Sequence, residues 1–467
     1  MNYKQLLGNF SIAVLAQGTY AIASALLTLV LPKMLGVEAF GYWQLFIFYA
    51  GYVGLFHLGL NDGVYLEYGG QRRSEIDKRD INSQFVFSFI IQLAVSAILM
   101  AAVSFMPIEA NRSFVLFMAA ALISVNNAGL YLGYIFQAMN ETKLFSASVA
   151  IESVVLLFGV IVLMLLGEHR FEPYVILYFL TKVIRLVYCC CYSKDFLKAG
   201  LNPLNAMAKH CINYVSIGIK LMIANLAGSL VLGIARFLID GCWGVEVFSE
   251  VSLALSITSF FMTFISQASM VLFPALRQSS DSDMASFYCI TRDALNFLLP
   301  IIYLLYYPVV LLLGLWLPDY AASLIYFSYV LPICLFDGKM DILGTTYLKV
   351  LRREDDLLKI NVITMFVSIV VSFIGAYYLR SLEFILFSVV LALGVRELLV
   401  EGYISKLLDS TASSMSVAVI VLSGCFVIAS NLLSPFAALA VYLLALLLYL
   451  TKFRYAVIAI LSKLKKR

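Results

Sequence analysis

Charge is scarce in this chain of 467 residues: Asp, Glu, Lys and Arg together make up 13% of it. That is too little to clothe the exterior of a water-soluble domain, where the share is nearer a quarter. The 3 histidines are scattered, and the 8 cysteines show neither the spacing of a disulfide framework nor that of a zinc site, so no resident metal is expected. A Gly-x-x-x-x-Gly-Lys-Ser/Thr loop is missing, as are the Gly-x-Gly-x-x-Gly, His-Glu-x-x-His and nucleophile-elbow patterns. No polar segment is large enough to house a nucleotide domain or a glycosyltransferase. These absences exclude ATP hydrolysis by the phosphate-loop route and leave no catalytic residue and no cofactor to name. An enzyme would have to work with membrane-embedded groups alone.

What is present is apolar surface. Hydrophobic residues account for 62% of the chain and the mean hydropathy is +0.95, which marks a polytopic membrane protein. Apolar runs of roughly 20 residues, long enough to cross a bilayer as helices, recur about 14 times. Their approximate spans are 9–31, 42–66, 83–106, 113–137, 145–166, 173–192, 214–239, 247–273, 293–316, 321–348, 359–379, 383–403, 412–432 and 435–451. Basic residues collect in alternate loops: Arg72, Arg73, Lys78 and Arg79, then Lys143, then Lys194, Lys198 and Lys209, then Arg277 and Arg292, then Arg352, Arg353 and Lys359, then Lys406. The opposite loops hold little beyond Lys33, Arg112, Arg170 and Arg380. Positively charged loops resist translocation, so both termini are expected in the cytoplasm. The net charge of +4 follows from this bias and gives no reason to invoke nucleic acid. The tail from Tyr455 to Arg467, with Lys463, Lys465 and Lys466, reads as an amphipathic helix on the anionic inner leaflet. The 28 tyrosines and 34 phenylalanines fit sugar stacking or interfacial belts, but in so apolar a chain they are expected mostly at lipid.

The chain is internally duplicated. Gly36-Val37-Glu38-Ala39-Phe40-Gly41 and Gly244-Val245-Glu246-Val247-Phe248-Ser249 are near copies, and the match extends backward to place Ala16-Gln17 on Ala224-Asn225. The shift carries the first span onto the seventh, an even number of helices apart, so the two halves share one orientation. The expected architecture is all-α, with two six-helix lobes in parallel repeat and two further C-terminal helices. Residues 1–193 form the first lobe, 194–213 a linker, 214–405 the second lobe, and 406–467 the extra hairpin and tail. Lobes of this kind meet at a midplane cavity and give alternating access by rocking. Gln17, Ser24 and Thr28 lie within about 40° of one another on the first span, and Asn225, Ser229 and Arg236 do the same on the seventh. These faces line a shared lumen or supply interhelical hydrogen bonds.

Ionisable groups inside spans are expensive and mark candidate sites. His57 and Glu152 fall within roughly 5 Å of the midplane at 1.5 Å rise per residue. Either could take a proton or cation, and a packing role is the alternative. Asp337, Lys339 and Asp341 follow the kink expected at Pro332, unless the helix ends early and leaves them in the cytoplasm. Arg396 and Glu397 lie about one turn below the centre of their span. Arg236 lies in the outer third of its own, where an i, i+4 pair with Asp240 is the alternative. Lys182, Arg185 and Lys220 are expected to snorkel to the inner surface. Asp62 sits between Gly59 and Gly63, whose small size lets a neighbouring helix approach. The lumen candidates are therefore Arg236, Lys339, Arg396, Asn225, Gln17 and His57. The ion-coupling candidates are Glu152, Asp337, Asp341, Asp62 and Glu397. A cationic interior points to an anionic amphiphile as cargo, since diphosphate oxygens pair well with guanidinium groups.

The stretch Leu35-Gly36-Val37-Glu38-Ala39-Phe40-Gly41-Tyr42, followed by Leu58-Gly59-Leu60-Asn61-Asp62-Gly63, resembles the polysaccharide (O-antigen type) flippase family of the multidrug/oligosaccharidyl-lipid/polysaccharide exporter superfamily. The resemblance implies movement of a polyprenyl-diphosphate-linked oligosaccharide from the cytoplasmic to the outer leaflet of a bacterial inner membrane, driven by an H+ or Na+ gradient. It also implies the lipid-linked oligosaccharide, membrane lipids and polysaccharide polymerase and chain-length machinery as partners, as in O-antigen and lipopolysaccharide assembly. A multidrug/cation antiporter and a lipid II-type flippase are the alternatives within the superfamily, the latter sharing the larger span count. On the cationic-lumen reading, neutralising Arg396 or Lys339 impairs transport and leaves insertion intact.

Overall fold

A computed structural model describes residues 24–277, 281–411 and 413–454. Among them the chain is helical throughout, with no strand. It falls into two compact units that divide at Leu226/Ala227. Gln17, the start of the first span and the tail from Tyr455 lie outside the described residues.

Ten helices among the described residues are long and apolar enough to cross a membrane, or eleven if the bent pair Pro318–Val330 and Ile333–Val350 is one span. The protein is thus a multi-pass membrane protein, with fewer separate spans by this measure than the sequence suggests. Three features account for the difference. Most of the first span is not described; the spans expected at 214–239 and 247–273 are separated by the kink at Gly244 alone and count as one; and the helix Leu382–Leu407 carries Glu383, Arg396, Glu397, Glu401 and Lys406, too many charges for a simple apolar span.

In the first unit, α1 (Leu31–Ala50) is followed by a 3-10 turn (Val53–His57), the short α2 (Leu60–Glu67), α3 (Lys78–Phe105), α4 (Ala110–Ala138), α5 (Thr142–Leu165), α6 (Glu172–Tyr192) and α7 (Lys194–Leu197). The span expected at 42–66 is therefore broken at its middle. Leu58 and Gly59 both take positive φ, 51° and 85°, and a helix cannot continue through them. Asn127 of α4 repairs the break by donating to the Val53 carbonyl at 2.9 Å. A free carbonyl in a hydrocarbon setting would otherwise go unsatisfied. The core of this unit packs Val64, Ile81, Tyr131, Leu132, Ile135 and Phe136 together. The segment expected as a linker is α7, a short irregular stretch and the start of α8 (Leu204–Arg277), which carries the boundary between the units.

The second unit continues with α9 (Asp281–Leu298), a 3-10 stretch (Leu299–Leu305), α10 (Tyr306–Trp316), α11 (Ala321–Val330), α12 (Ile333–Lys339), a π-helical segment (Met340–Thr345), α13 (Thr346–Val350), α14 (Glu354–Phe373), α15 (Leu382–Leu407), α16 (Ser414–Leu432) and α17 (Pro435–Lys452). The kink predicted at Pro332 is present as a bend of 41° between the helices on either side. The helix does not end there, so Asp337 and Lys339 are held inside the unit.

Some of the aromatic residues serve the interior, while others such as Phe105, Tyr378 and Phe436 are exposed on the outside. Tyr131, Tyr174, Tyr288, Tyr303, Tyr347 and Tyr442 are buried inside the units. Their hydroxyls, that of Tyr347 excepted, bond to neighbouring backbone or side-chain oxygens. Tyr442 donates to the Pro300 carbonyl at the start of the 3-10 stretch at 2.7 Å, and Tyr449 to the Asn296 carbonyl in the last turn of α9 at 2.9 Å. Tyr303 stacks on Phe426 with ring centres 4.5 Å apart. The hairpin α16–α17 is thereby bound into the second unit.

The sequence repeat has a conformational counterpart. Gly36 interrupts α1 at φ 75° and ψ 174°, and Gly244 interrupts α8 at φ 84° and ψ −178°. This backbone region is essentially restricted to glycine. A methyl group added at either position would meet nothing within 4 Å, so the requirement is one of backbone conformation and not of space. Gly36→Ala and Gly244→Ala are each expected to lower stability by about 1–3 kcal/mol. The check is the melting temperature of the purified protein in detergent.

Candidate functional site

In the first unit, three charged side chains meet between the adjacent helices α5 and α6. The ammonium of Lys182 bonds Glu152 Oε1, and Arg185 Nη1 donates to Glu152 Oε2 at 3.0 Å. Lys182 is the central residue of α6, about 15 Å from either end at 1.5 Å per residue, which is too deep to snorkel. Arg185, one turn further along, is 7% exposed. Both long side chains turn inward, contrary to the expectation that they reach for the membrane surface. The Tyr178 ring lies 5.0 Å from the Lys182 ammonium, a distance at which the ring face attracts a cation. Two cations share one carboxylate, so the group carries a surplus positive charge where charge is costly.

The second unit holds a larger network. Lys339, 1% exposed, donates to Glu397 at 2.5 Å and to Glu401 at 3.1 Å. Ser416 donates to Glu401 Oε2 at 2.6 Å, and Asn296 donates to the Ser416 hydroxyl at 2.8 Å. On the far side Arg292 Nε lies 4.0 Å from Glu401 Oε1; it bonds Asp293 at 2.9 Å, while its Nη1 donates to the Thr411 carbonyl at 2.7 Å. A cavity of about 10 Å³, room for about one water, is bordered by Tyr288, Lys339, Glu397 and Glu401. Arg396 faces away from this group and pairs with Asp337 at 2.5 Å. Asp341 accepts from Ser266 at 3.1 Å. Lys339 and Arg396, expected to present free positive charge to a lumen, are each closed onto carboxylates of their own unit.

The remaining candidates are more local. His57 ends the 3-10 turn, and its Nδ1 accepts the Gly59 N–H at 3.0 Å, which leaves Nε2 3.9 Å from Asp62. His57 thus serves as a cap on the broken span, the packing role weighed against proton binding. Gly63 brings α2 against α8: a Cβ there would stand 1.9 Å from the Tyr214 carbonyl oxygen. Asn225 is exposed on α8. Arg236 donates to Ser252 at 2.9 Å and lies 5.0 Å over the Phe248 ring, a contact made possible by the bend at Gly244 between them.

Residues 6–280, more than half of the chain, match the family model described as "Polysaccharide biosynthesis protein". The chain belongs to this polysaccharide biosynthesis protein family. No curated protein sequence matches it. Among solved structures, the lipid II flippase MurJ in an inward closed conformation is similar at 12% identity with a TM-score of 0.65, over 96% of this chain and 99% of that one. An inward-facing multidrug resistance MATE family transporter of the MOP superfamily is similar at 14% identity with a TM-score of 0.58, over 86% and 96%. An outward-facing MATE family structure gives 11% identity and a TM-score of 0.51, over 86% and 94%. The polysaccharide biosynthesis family member described here therefore has the fold of the MOP superfamily.

Sequence reasoning on this family member missed several site residues. Arg292 reads as a loop charge in the sequence because the apolar run begins after it, yet it is 3% exposed inside the unit. Glu401 stands one turn from Glu397, and that i, i+4 spacing was the available signal. Ser416 and Asn296 carry no signal of their own, since small polar residues are common in membrane helices.

Proposed function

We propose that the protein is a flippase that carries a polyprenyl-diphosphate-linked oligosaccharide, a repeat unit of O-antigen or another surface polysaccharide, from the cytoplasmic to the outer leaflet by alternating access. The observation that carries this reading is the surplus positive charge of Lys182 and Arg185 around Glu152 at the centre of two spans. A diphosphate offers more charge and more acceptor oxygens than a carboxylate, so it suits a dication in a low-dielectric site. Membership of a polysaccharide biosynthesis family and a fold shared with a lipid II flippase support the same cargo class.

The Glu152 group of the first unit and the Lys339 network of the second differ in the sign of their surplus charge. Around Lys339, Arg292 and Arg396 stand Glu397, Glu401, Asp293, Asp337 and Asp341, so acids outnumber bases. This excess suits an H+ or Na+ as the coupling ion, and in this reading the ion binds in the second unit. In this reading the protein is a transporter without catalytic residues, it lies in a bacterial inner membrane, and its Lys- and Arg-rich loops and both termini are cytoplasmic.

The test is the sidedness of polyprenyl-diphosphate oligosaccharide in cells depleted of the protein, read with a membrane-impermeant glycan probe. Accumulation on the cytoplasmic leaflet is expected. Unchanged sidedness with altered drug sensitivity would instead assign a multidrug antiporter.

A further inference from the structure

We infer that Glu152 is a resident counter-anion, which occupies the cationic site of the first unit when it is empty and is displaced by the diphosphate of the cargo. The inference rests on the flippase reading above. It starts from the way one carboxylate is divided between two cations: Lys182 takes Oε1 and Arg185 Nη1 takes Oε2, at 3.0 Å for the latter. The carboxylate sits between the two positive charges, where a bridging phosphate group would sit. Its single negative charge leaves the group of three with an excess of one positive charge.

The donors are not exhausted by this arrangement. Arg185 Nε is buried and has no hydrogen-bond partner among the described residues. A buried donor without a partner is costly, and the carboxylate has no third oxygen with which to relieve it. Gly133 of α4 makes room beside the same guanidinium, since a Cβ at that position would lie 3.4 Å from Arg185 Nη2. Lys182 is held against Tyr178, so its ammonium keeps a contact when the anion changes. A diphosphate can satisfy both and reach Nε as well. Replacing one anion by another also avoids the cost of emptying the site, because neither cation is ever left bare in the membrane. On release, Glu152 closes the site again.

The experiment compares the full chain and its Glu152→Gln variant, purified in nanodiscs, for affinity toward a short-chain polyprenyl diphosphate, with the matching monophosphate as comparator. Glu152→Gln keeps the shape of the side chain and removes the competing charge. It is expected to bind the diphosphate at least about tenfold more tightly than the natural protein and to turn over more slowly in vesicles, because the site no longer closes behind the cargo. Glu152→Asp is expected to keep the natural affinity. Equal or weaker binding by Glu152→Gln, in a protein whose depletion still traps lipid-linked glycan on the cytoplasmic leaflet, overturns the counter-anion and leaves the flippase standing. Normal glycan sidedness on depletion, whatever Glu152→Gln does to affinity, removes the flippase and this inference with it.

Discussion

Lys339→Ala is expected to destabilise the second unit by about 3–5 kcal/mol, seen as a large fall in melting temperature and in the yield of folded protein. The lysine is 1% exposed, and Glu397 and Glu401, which it joins, are 4% and 6% exposed. Removing it leaves two buried carboxylates side by side. Glu401 retains Ser416, while no cation remains for Glu397 within the network. Unpaired buried charge is among the few causes of losses this large. The triple variant Lys339→Met, Glu397→Gln, Glu401→Gln should recover much of the loss, because it removes the charges together. If Lys339→Ala melts like the natural protein, the network is not what holds α12, α15 and α16 together. The sequence alone suggests another outcome, in which neutralising Lys339 or Arg396 impairs transport with insertion intact. The ion pairs redirect that expectation toward folding.

The second large effect concerns transport. Lys182→Gln and Arg185→Gln are each expected to weaken diphosphate binding by about ten- to a hundredfold, from the loss of one charged hydrogen-bonding partner worth about 1.5–3 kcal/mol. The triple variant Lys182→Gln, Glu152→Gln, Arg185→Gln is expected to abolish flipping while still inserting and melting near the natural temperature. It leaves no bare charge in the membrane, so a fold defect is not the explanation for its inactivity. Flipping is measured by glycan sidedness in cells that carry only the variant. Normal flipping by the triple variant would remove the site from the mechanism.

Much of the fold can be read from the sequence because it depends on local properties. Apolar runs give helices, and the repeated Gly-Val-Glu pattern gives two breaks that prove to have the same backbone angles at Gly36 and Gly244. The kink at Pro332 follows from the missing N–H. The sites are less legible, since helical periodicity says which residues share a face but not which neighbour that face meets. Lys182 illustrates the point: its depth is readable from its place in the span, but its turn toward Glu152 depends on how α5 packs on α6. Arg292 fails for a different reason. Its helix begins well before the apolar run, so a hydropathy boundary mistakes a buried guanidinium for a loop charge.

The surplus charge on Lys182, Arg185 and Glu152 also makes the protein responsive to voltage. A unit charge carried across a membrane at 100 mV changes energy by about 2.3 kcal/mol. On the proposed flippase reading, in a membrane negative on the cytoplasmic side, the empty site is pulled inward, toward the leaflet from which the lipid-linked sugar is loaded. A bound diphosphate diester adds two negative charges, so that with Glu152 still in the unit the sum becomes one negative charge and the loaded site is driven outward. The electrical field would then favour loading on one face and delivery on the other, so the direction of transport has a driving force even before any ion is exchanged.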